Sequence, residues 1–240
     1  ISARTHIDWR ANEGDQIEAN AVIAVISGSA RAILTAERTA LNFLQTLSAT
    51  ATATRKYVDA VAGTGVKILD TRKTLPGLRR AQKYAVLQGG GSNHRMGLFD
   101  AIMIKENHIM AAGSIADAVA AARRQNQEVS IEVEVENLDQ LQQALESDVD
   151  RILLDNFSLN MLREAVKFNA RRARLEASGN VSLETVRAIR EQGGLVAVPH
   201  PFDRIRRSPL QREALLAIAD QLDLLETLNA RVTLPSDNAS

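Results

Sequence analysis

Short apolar runs that alternate with helix-like stretches constrain this fold more than any other feature of the sequence. The runs are Val66–Leu69, Ala101–Ile104, Ile131–Val135, Arg151–Leu154 and Ala173–Ala177. Each is short and rich in Val, Ile, Leu or Ala, which predicts a buried strand. Residues 114–124 begin at Ser114, an N-cap type with Asp117 three residues on. Residues 138–146 follow Asn137, 159–170 follow Ser158, and 183–191 follow Ser182. A small polar residue in front of an apolar-periodic stretch marks a helix start. Strands alternating with helices predict an α/β fold with a parallel sheet. Upstream, residues 5–9 and 21–26 read as strands around the polar turn Asn12–Asp15. Ser29–Leu47 has helical periodicity, and the Ala/Thr-rich stretch 48–54 continues it.

The residues at the strand ends matter as much. The first strand ends in Asp70-Thr71-Arg72-Lys73 and the second in Lys105-Glu106-Asn107-His108. In the third, Glu132, Glu134 and Glu136 alternate with valine and so share one face. The fourth ends in Asp155-Asn156 and the fifth in Ser178-Gly179. Polar groups thus gather at the C-terminal ends of successive strands. That end is the catalytic face of a β/α barrel, and it is also the ligand side of an open doubly wound sheet. Periodicity leaves the two open.

The chemistry is that of an anion site. No acid occurs from Thr71 to Phe99, a window holding Arg72, Lys73, Arg79, Arg80, Lys83, His94 and Arg95. Arg79, Arg80 and Lys83 are spaced as a solvated helix surface. Arg72, Lys73, His94 and Arg95 lie at a strand end and a glycine-rich loop, where guanidinium forks can grip a carboxylate or phosphate. Gly89-Gly90-Gly91-Ser92 either presents N–H groups to an anion or forms a helix C-cap and turn. Glu134 and Asp155 either hold Mg²⁺ or a ribose hydroxyl, or pair with a nearby Lys or Arg. The four histidines lack metal-ligand spacing.

Composition removes several functions. Apolar residues are 45% but aromatics only 3%, so the core must be aliphatic. Lys plus Arg and Asp plus Glu balance at 29 each, which argues against a nucleic-acid or membrane-surface role. The sequence holds no cysteine, hence no disulfide, thiol nucleophile or thiolate zinc site. This fits a reducing compartment, and a cytoplasmic location is expected. No apolar run nears the roughly 20 residues of a membrane helix. The start at Ile1 does not read as a signal peptide, and lacking Met it reads as a truncation.

Seven ordered motifs over roughly residues 5–192 resemble the quinolinate phosphoribosyltransferase family. They are Glu37–Gln45, Asp70–Arg79, Gly89–Arg95, Ile104–His108, Glu132–Glu136, Leu154–Asn156 and Glu176–Asn180. The resemblance implies a truncated α/β sandwich with its linking helix over 1–48, then an incomplete β/α barrel over 49–192. It implies phosphoribosyl transfer from phosphoribosyl pyrophosphate to quinolinate with loss of CO₂, giving nicotinate mononucleotide for NAD biosynthesis, with Mg²⁺. It further implies a homodimer or higher oligomer in which Arg38 crosses to the partner's site. By similarity Arg72, His94, Arg95 and Lys105 clasp the two carboxylates, with Thr71 beside them. Lys73 faces phosphate, Glu134 and Asp155 hold ribose and Mg²⁺, and Ser178 and Gly179 bind the 5′-phosphate. Lys105, Glu134 and Asp155 form the catalytic set.

Past residue 192 the family's last strand and phosphate turn are not legible. Residues 193–240 instead resemble a fragment of the PHP phosphoesterases around His200 and Asp203, without that family's paired metal motifs. A foreign segment would leave the phosphate site incomplete, so a non-catalytic hybrid and a phosphoesterase fragment are the alternatives. Leu195–Val198 has the apolar pattern of a substitute barrel strand.

Overall fold

The computed structural model describes residues 5–179, 181–190 and 195–197. The chain opens with an antiparallel hairpin, β1 (His6–Trp9) and β2 (Ala24–Ser27), registered Ile7 to Ile26. Helix α1 (Ala30–Ala60) follows as one 31-residue element, so the Ala/Thr-rich stretch continues the helix as expected. Thr50 and Thr54 return their hydroxyls to the carbonyls one turn back, at 3.1 and 2.9 Å. This lets polar residues sit in a helix that passes over a core.

Six parallel strands make the main sheet. In chain order they are β3 (Ile68–Leu69), β4 (Ala101–Ile104), β5 (Ser130–Val135), β6 (Arg151–Asp155), β7 (Arg174–Ser178) and β8 (Leu195–Ala197). The spatial order is β3-β8-β7-β6-β5-β4. Intervening helices are α2 (Arg79–Gln88), α3 (Glu106–Ala112), α4 (Ile115–Gln125), α5 (Leu138–Glu146), α6 (Leu159–Asn169) and α7 (Leu183–Arg190). Among the described residues β3 and β4 share no ladder, so the barrel is incomplete, as expected. The flank of β3 that faces this gap is occupied by Ser92, which pairs parallel to Leu69.

The substitute strand is present. β8 runs parallel between β3 and β7, with Val196 paired to both Ile68 and Ala177. The reading in which the sheet lacks its last strand is corrected there. His200, Asp203 and the rest of the expected tail lie outside the described residues.

Alternation within the strands separates two interiors. Ile131, Val133, Val135, Ile152, Leu154, Leu175 and Ala177 pack under the helix layer. They meet Leu141 and Ala144 of α5, Leu162 and Ala165 of α6, and Val186 and Ile189 of α7. Each fully buried aliphatic side chain contributes about 1.5–3 kcal/mol. The opposite face of β5, β6 and β7 carries Glu132, Arg151 and Glu176, and is polar. The capping expectations hold: Ser114 accepts from Asp117 N, Asn137 from Gln140 N, and Ser158 from Met161 N. Each cap is worth about 1 kcal/mol. Helix α3 was not expected. It starts straight after β4, with Lys105 N donating to His108 Nδ1 at 3.0 Å, so His108 serves the helix start.

Candidate active site

The loop after β3 and the segment 92–95 carry the cationic residues. Both are tied to Asp70, which directly follows β3 and is 6% exposed. Its Oδ1 accepts from Lys83 Nζ and, at 2.8 Å, from His94 N. With its amide turned to donate, Asn93 reaches Asp70 Oδ2 at 2.8 Å. Lys83 Nζ also donates to the His94 carbonyl at 2.9 Å. One turn earlier, Arg79 donates to the carbonyls of Arg72 and Met96, each at 3.1 Å. The solvated-surface expectation therefore fails for two of three residues. Arg80 is exposed, Arg79 is half-buried, and Lys83 is buried against Asp70. Desolvating Lys83 is offset by the buried carboxylate, which a count of charges along the helix does not reveal.

The glycine run resolves to cap and turn. Gly89 N, Gly90 N and Gly91 N donate to Ala85 O, Leu87 O and Val86 O, and Ser92 N donates to Ile68 O. All four N–H groups are committed within the chain. The glycines serve close packing instead: a Cβ on Gly89 would meet Ala51 O at 2.5 Å, against α1.

Arg95 donates to Ala101 O at 3.3 Å. Burial, and then the charge of Arg72, hold its guanidinium below the usual range; Glu132 and Asp100 oppose the shift. The backbones of residues 72 and 96 both bond the Arg79 guanidinium, so the two arginines belong to adjoining segments and an anion bound there would relieve the repulsion. His94, expected in the carboxylate clasp, has its ring set among groups of the chain. Its Nδ1 accepts from Arg95 N at 2.8 Å. Its Nε2 lies 3.3 Å from both Glu132 Oε2 and Glu176 Oε2, close but not aligned as a hydrogen bond. The side chain is 6% exposed and faces the polar interior. Arg151 joins this interior, donating to Glu176 Oε2 at 2.9 Å. Burial pushes the Glu132 carboxyl above the usual range, against the pull of His94 and Arg151.

The next strand ends carry the carboxylates. Lys105 Nζ donates to Glu134 Oε2 at 2.6 Å, and this pair is partly open to solvent. Asp155 is pushed above the usual carboxylate range by burial first and by the Glu134 charge second. Lys105, the Asn156 amide and Lys73 oppose that shift. Lys73, Lys105, Glu134 and Asp155 therefore share one electrostatic neighbourhood. Asn156 Nδ2 donates to Asp155 Oδ2 at 2.8 Å, and Asn156 N donates to Ser178 O at 2.8 Å. Gly179 has φ +76°, and a Cβ there would collide with Asn156 Oδ1. Thr71 Oγ1 accepts from Lys73 N at 3.1 Å. Arg38 lies exposed on α1.

Residues 50–200 match the family model described as quinolinate phosphoribosyl transferase, C-terminal domain, and residues 2–48 match that for its N-terminal domain. The chain belongs to this family. A probable nicotinate-nucleotide pyrophosphorylase (carboxylating) of Synechocystis sp. is 46% identical over 188 residues, covering 76% of this chain and 63% of that protein. The nicotinate-nucleotide pyrophosphorylase (carboxylating) of Mycobacterium leprae is 48% identical over 179 residues, covering 73% and 63%. The solved nicotinate-nucleotide pyrophosphorylase of Francisella tularensis superposes with a TM-score of 0.80 at 48% identity, over 82% of this chain and 70% of that one. That of Ehrlichia chaffeensis gives 0.78 at 38% identity, over 81% and 72%. The chain thus spans about three fifths of the length of these curated relatives. The phosphoribosyl transferase match runs to residue 200 and includes β8. The expected likeness of residues 193–240 to a PHP phosphoesterase has no support and is withdrawn.

Sequence reasoning missed Arg79, Lys83, Glu132, Arg151, Glu176 and Asn156. One signal was present for Lys83. The acid-free window 71–99 is bounded by two carboxylates, Asp70 and Asp100, and Asp70 is the one that pairs with Lys83.

Proposed function

We propose that this chain transfers a phosphoribosyl group from phosphoribosyl pyrophosphate to quinolinate, with decarboxylation to nicotinate mononucleotide. The observation that carries the reading is that the two arginine-bearing segments are brought together, with the Arg72 and Met96 carbonyls each 3.1 Å from the one Arg79 guanidinium, which sets Arg72 and Arg95 where a dianion would offset their like charges. Quinolinate, with adjacent carboxylates, has the right charge. Arg72, Arg95 and Lys105 would grip it, with Thr71 alongside and His94 holding Arg95 from below. Glu134 and Asp155 would accept from ribose hydroxyls and stabilise positive charge developing on the ring carbon. Lys73 would neutralise phosphate, and Ser178 with Gly179 would face the 5′-phosphate. Once the bond to the ring nitrogen forms, the pyridinium accepts the electrons released by CO₂ loss. No covalent nucleophile is required.

Glu134 and Asp155 also suit Mg²⁺, which takes one or two carboxylates together with phosphate oxygens. Among the described residues no group of three or more His, Cys, Asp or Glu is placed to hold a metal ion, so phosphate oxygens would have to complete the coordination. Bound there, Mg²⁺ would neutralise the diphosphate leaving group.

The active unit is a homodimer in this proposal. Arg38 is exposed on α1 beside exposed Leu34, Leu41 and Phe43, a surface suited to a second copy reached by Arg38. The expected setting is the cytoplasm; among the described residues no helix is long and apolar enough to cross a membrane. The test is nicotinate mononucleotide formation with quinolinate, phosphoribosyl pyrophosphate and Mg²⁺, together with calorimetry of quinolinate. Product formation and loss of quinolinate binding in Arg72→Ala are expected. Absence of quinolinate binding in the unmutated chain overturns the proposal.

A further inference from the structure

We infer that Arg79 and Lys83, on the inner face of α2, are positioning residues that set the spacing of Arg72 and Arg95. Through it they set the preference of the site for a vicinal dicarboxylate. The inference rests on the quinolinate reading.

Arg72 and Arg95 come from segments far apart in sequence, and like charges brought together push their backbones apart. Neither segment is a strand of the main sheet; the second is tied to β3 and to the Asp70 that follows it through Ser92, Asn93 and His94. Two cations on one helical turn oppose the repulsion. Arg79 spans the two loops, with Nη2 on the Arg72 carbonyl and Nη1 on the Met96 carbonyl, each 3.1 Å away. Its Nε donates to Thr74 Oγ1 at 3.3 Å. Lys83 repeats the pattern one turn on, joining the Asp70 carboxylate to the His94 carbonyl. Gln82 Oε1, between them, accepts from Leu75 N at 2.7 Å. Each arginine of the pair is therefore flanked by groups held from α2: the Asp70 carboxylate and Arg72 carbonyl on one side, the His94 and Met96 carbonyls on the other. The distal end of the second loop is pinned too, since Asp100 accepts from Met96 N at 2.6 Å and Gly97 N at 2.9 Å. Arg79 reaches the two carbonyls from two separate nitrogens of one rigid plane, whereas a lysine would have to reach both from a single Nζ.

The experiment measures quinolinate and nicotinate binding by calorimetry, and KM for both substrates, in the unmutated chain, Arg79→Gln and Arg79→Lys. Quinolinate affinity should fall about ten-fold or more in both variants, because small misplacements of a clamp cost that much. Nicotinate, a monocarboxylate, should lose no more than about two-fold, and KM for phosphoribosyl pyrophosphate should stay within about two-fold. A purely structural role would weaken all three alike, and that result overturns the inference, as does unchanged quinolinate affinity. A second variant, Asp70→Asn with Lys83→Met, removes the buried pair without leaving one charge behind. If it folds, the same selective loss is expected; a loss equal for quinolinate and nicotinate counts against the inference. Quinolinate binding by the unmutated chain with no change in the variants leaves the proposed function standing and removes only this inference.

Discussion

The two halves of the candidate site are built by different means. Arg72 and Arg95 sit on loops, and their backbones are gripped from outside the sheet by helix α2 through a buried pair and carbonyl hydrogen bonds. Glu134 and Asp155 sit on β5 and β6, next to residues registered directly by the ladder, with Val135 opposite Leu154. The first half concentrates its stability in a few charged contacts, so single changes there reach both fold and binding. The second half inherits its geometry from backbone pairing, so its side chains can change with little effect on the fold.

The largest expected effect on stability comes from Lys83→Met. It leaves Asp70 buried without its cation and should cost about 3–5 kcal/mol. Urea unfolding with circular dichroism checks this; a loss below about 1 kcal/mol would show that Asp70 finds water instead. Next comes Gly179→Ala, in the other half. The added methyl meets Asn156 Oδ1 at a left-handed backbone position, which costs on the order of 1–3 kcal/mol of local strain. KM for phosphoribosyl pyrophosphate should rise about ten-fold or more while quinolinate affinity holds. Equal damage to both substrates would mean the two halves are not separable.

The third prediction concerns pH. Burial first, and then the Glu134 charge, raise the native Asp155 pKa above the ordinary carboxylate value. The native state then holds its proton more tightly than the unfolded chain. The resulting stabilisation is full below the ordinary carboxylate range and is lost as pH rises through the raised native value. Activity behaves oppositely: the acceptor must be ionised, so the acidic limb of kcat/KM should fall at a pH above that of an ordinary aspartate. Carboxyl NMR titration should show the same raised value, and Glu134→Gln should shift it downward by removing the neighbouring charge. No downward shift would mean that Glu134 is not the neighbour described.

The smallest effects on stability belong to exposed groups. Lys105→Ala should change it by less than about 1 kcal/mol, because the pair with Glu134 is partly solvated. Quinolinate affinity should nevertheless drop. Arg80→Ala should leave stability within about 0.5 kcal/mol and binding unchanged.

Much of the fold was legible. Four helices were placed from their caps, and five strands of the main sheet from their apolar runs, because both signals are local. Lys105, Glu134 and Asp155 were also legible, since strand ends and strand alternation announce them. Arg79 and Lys83 were not, because a basic residue on a helix looks solvated until the partner is known. Their partners, a carboxylate, three carbonyls and the Thr74 hydroxyl, lie outside α2. The contacts of His94 were not legible for a related reason. Which way an imidazole turns depends on Glu132, Glu176 and the Arg95 amide, which three separate segments contribute. The glycine run was ambiguous from sequence, and hydrogen bonding decided it.

By itself the sequence determined the alternation of strand and helix, the helix starts, the polar strand ends and the family. These depend on neighbours a few residues apart, or on motifs kept in order along the chain. Only the tertiary structure decided which charges are buried, which loops are clamped, and that residues 195–197 lie between the first and fifth strands of that apolar series. Burial, pairing and strand order are properties of segments distant in sequence, and their energies are set only once those segments meet.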